Sequence, residues 1–279
     1  MSLISVEQLA LQLGDANTTI IDARYVLADS NAGYLAYLKA HIPGALYVNL
    51  DEDLSDEKAN PLLGRHPLPS AKKFTALLSR LGIHSETRVI IYDQSDAAMA
   101  ASRCWFLLRL AGHNNAWVLD GGLNQWIAKD LALTQEIPDV VSTHYELNFD
   151  STKLVTVEQL KEMLNDKKNT VLIDARAHER YRGDIEPIDK KAGHIPGACN
   201  RPYSLNLENN LFKSPEQLRS EFAAIISSKE NILLSCGSGV TACHHALALS
   251  IAGIENYRLF APSRSGWIAD EANLVEIGA

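Results

Sequence analysis

The sequence predicts an α/β protein made of two tandem copies of one domain, each a parallel sheet covered by helices on both faces. Three observations carry that prediction. The first is internal repetition: TIIDAR at Thr19–Arg24 recurs as VLIDAR at Val171–Arg176, and AHIPGA at Ala40–Ala45 recurs as GHIPGA at Gly193–Ala198. The second is a shared order of later landmarks. VIIYD at Val89–Asp93 corresponds to ILLSC at Ile232–Cys236, each copy then runs through a helix-like pattern to an Ala-Gly at Gly112 or Gly253, and Trp126 and Trp267 close the two series. The third is that short β-branched runs alternate with helix-period segments, as they do where parallel strands are joined by crossover helices.

At 279 residues the chain exceeds the usual size of one domain. The repeat divides it into residues 1–135, a polar connection over 136–153, and residues 154–279. A hydrophobic fraction of 46% gives both copies enough apolar material for a core without disulfide staples. Helix starts are written as capping boxes: Ser5 with Gln8, Thr156 with Gln159, and Ser214 with Gln217, the last followed by Pro215 at the first helical position. In HIPGA the proline holds the preceding residue extended, the glycine permits a tight turn, and ALYVNL or ACNRPY supplies the next strand. His41 and His194 are therefore expected to be hydrogen-bonded loop formers and not catalytic bases.

The net charge of −8, with both signs dispersed, excludes a nucleic-acid or anionic-membrane surface. MSLISVEQLALQL has no basic segment followed by a long apolar run, and no stretch approaches 18 apolar residues, so a cytoplasmic protein with no membrane partner is expected. Cys104, Cys199, Cys236 and Cys243 form no CxxC pair and read as reduced thiols. No metal is expected, because Cys236 and Cys243 lie seven apart and the adjacent His244 and His245 should point to different helix faces.

The two copies differ where it matters for chemistry. The same strand ends on Asp93 in the first and on Cys236 in the second, so only the second offers a thiol nucleophile. Ligands of open α/β sheets gather at such strand ends. The loop GSGVTA then leads into a helix from about Val240 to Ala252. Its glycines let successive N–H groups turn inward and the helix N-terminus adds partial positive charge. Both favour an anion at sulfur, whether thiolate or persulfide. The backbone of Gly237, Gly239, Val240 and Thr241 is thus the candidate cradle. Cys243, Cys104 and Cys199 are expected to be inert packing residues.

DAR, GHIPGA, CGSGVTAC and the terminal Trp267 together resemble the tandem-domain rhodanese-type sulfurtransferases, closest to their 3-mercaptopyruvate sulfurtransferase branch. The resemblance covers essentially the whole chain and implies an inactive first domain and a catalytic second one. It implies that the Cys236 thiolate takes sulfur from a small-molecule donor, keeps it as a persulfide, and passes it to a thiol such as thioredoxin or a small thiol, or to cyanide. No cofactor is implied, because sulfur itself is the electrophilic centre. Thiosulfate-preferring members carry basic side chains after the cysteine, whereas Gly237 and Ser238 carry none. Mercaptopyruvate is therefore the expected donor and thiosulfate the alternative.

The resemblance also assigns helpers. Arg180 in AHERYRG matches a substrate-binding arginine, its alternative being an exposed helix arginine near Glu179. A second substrate arginine is expected where Ile188 stands, with Lys190 and Lys191 the nearest replacements. Ser238 matches a loop serine proposed to act with a histidine, here His66 in GRHPLP, and a first-domain aspartate, Asp56 or else Asp53; this implies a site in an interdomain cleft. Many members carry an aromatic residue at the position of Arg264 and an acid at that of Gly266, so Arg264 either meets an anionic donor or faces solvent. A phosphatase of the C-x5-R kind is excluded because Ala242 stands where its arginine belongs. A non-enzymatic persulfide carrier or partner-binding module would suit the first domain alone, but the chain retains the thiol.

Overall fold

Both repeats fold as parallel sheets flanked by helices in the computed structural model, which describes residues 2–147, 149–227 and 229–278. The chain divides into two units, and each takes a short segment from the other half of the sequence. The first contains Met1–Asp56, Leu68–Asp150 and Asn209–Phe212; the second contains Glu57–Pro67, Ser151–Glu208 and Lys213–Ala279. Most of the stretch expected as a connection lies along the first unit, where Thr143 donates its N–H to Ser79 O (2.9 Å) and the Tyr145 hydroxyl meets His113 Nδ1 (2.9 Å).

The first unit's sheet runs in the order Leu3–Ile4, Ala116–Leu119, Arg88–Tyr92, Thr18–Asp22, Ala45–Tyr47, every pairing parallel. The second unit's order is Tyr257–Leu259, Asn231–Ser235, Thr170–Asp174, Ala198–Asn200, again all parallel. Register is matched between the copies: Asp22 lies opposite Tyr92, and Asp174 opposite Ser235. Asp93 and Cys236 therefore both stand one residue beyond the carboxyl end of the corresponding strand.

The repeated motifs are the joints of this frame. Arg24 grips Asp22 (Nη2 to Oδ2 2.7 Å) and reaches Ala40 O (2.8 Å); Arg176 grips Asp174 (2.7 Å) and reaches Gly193 O (2.9 Å). Each DAR arginine thus ties its strand end to the residue preceding HIPGA. The histidines are loop formers: His41 Nδ1 lies 2.7 Å from Tyr37 O and His194 Nδ1 2.9 Å from Tyr181 O, with the rings stacked at 4.0 and 3.8 Å. All three capping boxes form, and the Trp126 and Trp267 indoles donate to Ala132 O and Leu274 O.

In the first unit, the carboxylate of Asp93 accepts the N–H groups of Ser95 (3.2 Å) and Ala97 (3.1 Å). Burial, then the nearby charge of Asp96, pushes its pKa up to about 7, against 3.8 in the unfolded chain. The protonated acid is the form the fold prefers. The stability it allows is complete below pH 3.8 and is lost as pH rises through about 7. Asp93→Asn, which keeps an acceptor without the charge, should stabilise the protein by up to about 4 kcal/mol at pH 8 and by much less near pH 4. Urea melts at the two pH values check this; equal effects at both would show that the charge is not the cause.

Candidate active site

The second unit builds its site around the turn after Ser235. Gly239 donates its N–H to Cys236 Sγ at 3.1 Å, so the loop curls back onto the sulfur as the glycine spacing predicts. Gly239 has φ +77°, and a Cβ there would lie 2.3 Å from Ala261 O, so side chains are excluded on both counts. The helix Ala242–Ile251 begins just beyond the loop. On the other side, Cys236 donates its N–H to Ser263 Oγ (3.1 Å), while Arg264 N and Ser265 N donate to the carbonyls of Cys236 and Gly237. Ser263 holds φ +50°, and its hydroxyl, bound to Phe260 O as well, secures that left-handed turn.

The remaining thiols are poor competitors. Burial pushes Cys104 far above the usual thiol range and Cys199 up to about 11. Cys243 Sγ donates to Gly239 O at 3.3 Å beneath the loop. Val240 is buried and Thr241 precedes the helix, its carbonyl and that of Val240 accepting from His244 N and Cys243 N. His244 and His245 stand about 100° apart on the helix, against Tyr203 and Phe222, and both Nδ1 atoms lie 2.9 Å from Asn206 Nδ2. Burial, then the charge of Arg201, holds His245 down to about 3, so it stays neutral. Among the described residues no group of three His, Cys, Asp or Glu side chains could hold a metal ion.

Ser238 and His66 meet: Oγ and Nδ1 are 2.8 Å apart, and both residues are buried. His66 is in the second unit because the segment 57–67 is seated on the turn at Pro262–Gly266. Arg65 N donates to Ser265 Oγ (2.9 Å), and a Cβ on Gly266 would sit 2.6 Å from Leu62 O. The absence of a side chain at Gly266 is what admits that backbone. Asp53 is engaged elsewhere, accepting from Arg80 (2.6 Å) and Asn49 N (2.8 Å); Asp56 accepts the Ser70 N–H (3.3 Å).

Arg180 lies on the short helix His178–Arg182, and its side chain is 18% exposed, with Nη2 on Glu186 (2.7 Å) and Asp189 (3.4 Å). It is not the exposed arginine of the alternative reading. Burial opposes ionisation of Glu186, but hydrogen bonds from Arg180 and from the N–H groups of Asp189 and Ile188 overcome it and hold its pKa below the usual range. Arg264 is not solvent-facing either. It is fully buried, with Nη1 on Asp189 (3.2 Å) and Glu186 (3.5 Å) and Nη2 on the Lys191 carbonyl. Lys190 and Lys191 carry exposed side chains, and Ile188 is exposed as well. Sequence reasoning missed Arg65, whose Nη1 meets Asp189 Oδ1 at 2.5 Å; the signal was present in Gly266, whose missing side chain makes room for the Arg65 segment.

A strand-end thiol held by a curled loop, repeated as a copy with Asp93 in its place, defines a duplicated α/β fold with the strand-end thiol in one half. The Rhodanese-like domain matches residues 5–129 and again 156–270. The chain is 37% identical to a Pseudomonas aeruginosa protein named "Probable 3-mercaptopyruvate sulfurtransferase" over 99% of this chain and 98% of that one. It is 32% identical to the thiosulfate sulfurtransferase of Bos taurus over 89% and 84%. The crystal structure of SseA from Escherichia coli, described among the 3-mercaptopyruvate sulfotransferases, superposes with a TM-score of 0.80 at 30% identity, covering 94% of this chain and 99% of that one. The chain belongs to the rhodanese family. Among the described residues no helix is long and apolar enough to cross a membrane.

Proposed function

We propose that the second unit takes a sulfur atom from 3-mercaptopyruvate onto Cys236 and delivers it to a thiol or to cyanide. The chain is a sulfurtransferase, acting on a small-molecule sulfur donor and a sulfur acceptor. The observation that carries the donor assignment is the neutral loop: an N–H group on Cys236 Sγ and a hydroxyl, Ser238, hydrogen-bonded to His66, with no basic side chain at Gly237 or Ser238.

The Cys236 thiolate attacks the donor's thiol sulfur. The S–S bond forms, the C–S bond breaks, and its electron pair passes to the three-carbon fragment as an enolate. The proton on the transferred sulfur goes to that fragment's terminal carbon, giving pyruvate and a Cys236 persulfide anion. With His66 Nδ1–H donating to Ser238 Oγ, the serine proton is turned toward the keto oxygen, where charge develops. Arg180 holds the donor's carboxylate. In the second half-reaction the acceptor attacks the outer sulfur and regenerates the thiolate. Thioredoxin or a small thiol is the proposed cellular acceptor, and the four free cysteines support a reducing, cytoplasmic setting.

Thiosulfate is the second reading, favoured by the arginines near Gly237. Measuring kcat/KM for both donors with one acceptor decides between them: mercaptopyruvate should be the better donor, and a preference for thiosulfate would overturn the first reading. Ser238→Ala should hurt mercaptopyruvate more than thiosulfate, since only the former has a carbonyl to stabilise. Arg180→Ala should lower kcat/KM for mercaptopyruvate by about 10- to 100-fold. Its circular dichroism should be unchanged; equal loss of fold and activity would make Arg180 structural.

A further inference from the structure

The network beside Gly237 is unusual in how it divides its donors. Arg65 spends Nη1 on Asp189, and its Nη2 is the atom nearest to a Cβ built on Gly237, at 3.2 Å. Arg180 does the mirror image, spending Nη2 on Glu186 and Asp189 and turning Nη1 to within 3.7 Å of the same point. The Nε–H groups of both are buried and make no hydrogen bond among the described residues. Two guanidinium groups from distant parts of the sequence thus share one carboxylate and aim spare donors at the residue after the nucleophile.

Asp189 is fixed from behind by buried Arg264 (3.2 Å), and the third carboxylate, Asp174, is held by Arg176. Four arginines against Asp174, Glu186 and Asp189 leave one formal positive charge in a network closed by these contacts. The Cys236 thiolate faces either donor alike, so the comparison turns on the donor's own charge, and a monocarboxylate matches that of the arginine network. A dianion would bring one negative charge too many into a largely buried setting, where the mismatch is poorly screened.

We propose that Arg65 is the second donor-binding cation, forming with Arg180 a two-pronged clamp on the donor's carboxylate, and that Asp189 sets the clamp's charge and so selects a monoanionic over a dianionic donor. This rests on the reading that Cys236 takes sulfur from mercaptopyruvate. Arg65 stands in space where Ile188, Lys190 and Lys191 fail to, because the segment carrying it is let in by Gly266. A planar fork suits a carboxylate, whereas a lysine offers only a point charge.

The test uses the full-length protein, with mercaptopyruvate and thiosulfate as donors, cyanide as the common acceptor, and intact mass of the donor-treated enzyme as a separate readout. Arg65→Gln should raise KM for mercaptopyruvate by about 10-fold or more with a smaller change in kcat, and Arg65→Lys should recover only part of it. Asp189→Asn, which adds one net positive charge with little change of shape, should move the ratio of kcat/KM toward thiosulfate by about 10-fold. A wild type that gains one sulfur on Cys236 while Arg65→Gln leaves KM, or Asp189→Asn leaves the donor ratio, within about twofold overturns the clamp and spares the underlying reading. A wild type that gains no sulfur on Cys236 overturns both. Should Arg65→Gln unfold, the Asp189→Asn ratio decides alone.

Discussion

Cys236→Ser should gain no sulfur from donor in the absence of acceptor and should lose at least about 1000-fold in kcat/KM with either donor, because a covalent route loses its nucleophile altogether. The wild type under the same conditions should gain one sulfur atom, removed by cyanide. The alternatives are separable because their environments differ. Cys104 and Cys199 are held protonated by burial, and Cys243 is turned under the loop onto the Gly239 carbonyl. A persulfide mapped to any of those three, or sulfur uptake surviving in Cys236→Ser, would defeat the assignment. Serine is the right probe since its hydroxyl keeps the loop's hydrogen bond from Gly239 while being far less acidic than a thiol.

Gly239→Ala should have the next largest effect, through geometry alone. The added Cβ would meet Ala261 O at 2.3 Å while forcing alanine to φ +77°. The three nearest atoms are all backbone of Ala261, so no flexible side chain can yield and the loop itself must move. A stability loss of about 2–4 kcal/mol is expected from the strain and overlap. Displacing the N–H from Cys236 Sγ should cost at least about 100-fold in kcat/KM measured well below the melting temperature. If activity stays within about tenfold of wild type while the melting temperature falls, the Gly239 N–H only shapes the loop and does not serve the sulfur.

The Asp93 and Cys236 loops share a scaffold and differ in what occupies the strand end. In the first unit a carboxylate accepts the loop's own N–H groups, and burial, then the nearby Asp96, raises its pKa in spite of those bonds. In the second the occupant is a thiol that can react. Duplication therefore gives two loops on matched strand ends, and one difference, Asp93 against Cys236, decides which of them carries a thiol.

The chain's local grammar is legible in the sequence alone. Repetition fixes two copies of one α/β domain, the capping boxes mark the helix starts, and the strand-end position with its glycines singles out Cys236, because these depend on residues adjacent in sequence. HIPGA was legible as a structural joint for the same reason, whereas the ion pair inside each DAR and the carbonyl its arginine reaches needed the fold. What only the tertiary structure decided is the charge around the site. Arg264 reads as a loop arginine, yet it is fully buried on Asp189 and Glu186. Lys190 and Lys191, nearest in sequence to the expected position, point to solvent, while Arg65, 123 residues before Ile188, meets Arg180 beside Gly237. Ion-pair partners are set by where the chain folds back and not by sequence distance, and a long flexible side chain gives no periodic signal of its destination. The only trace in sequence was a glycine at 266, whose meaning is a backbone passing where a side chain would have been.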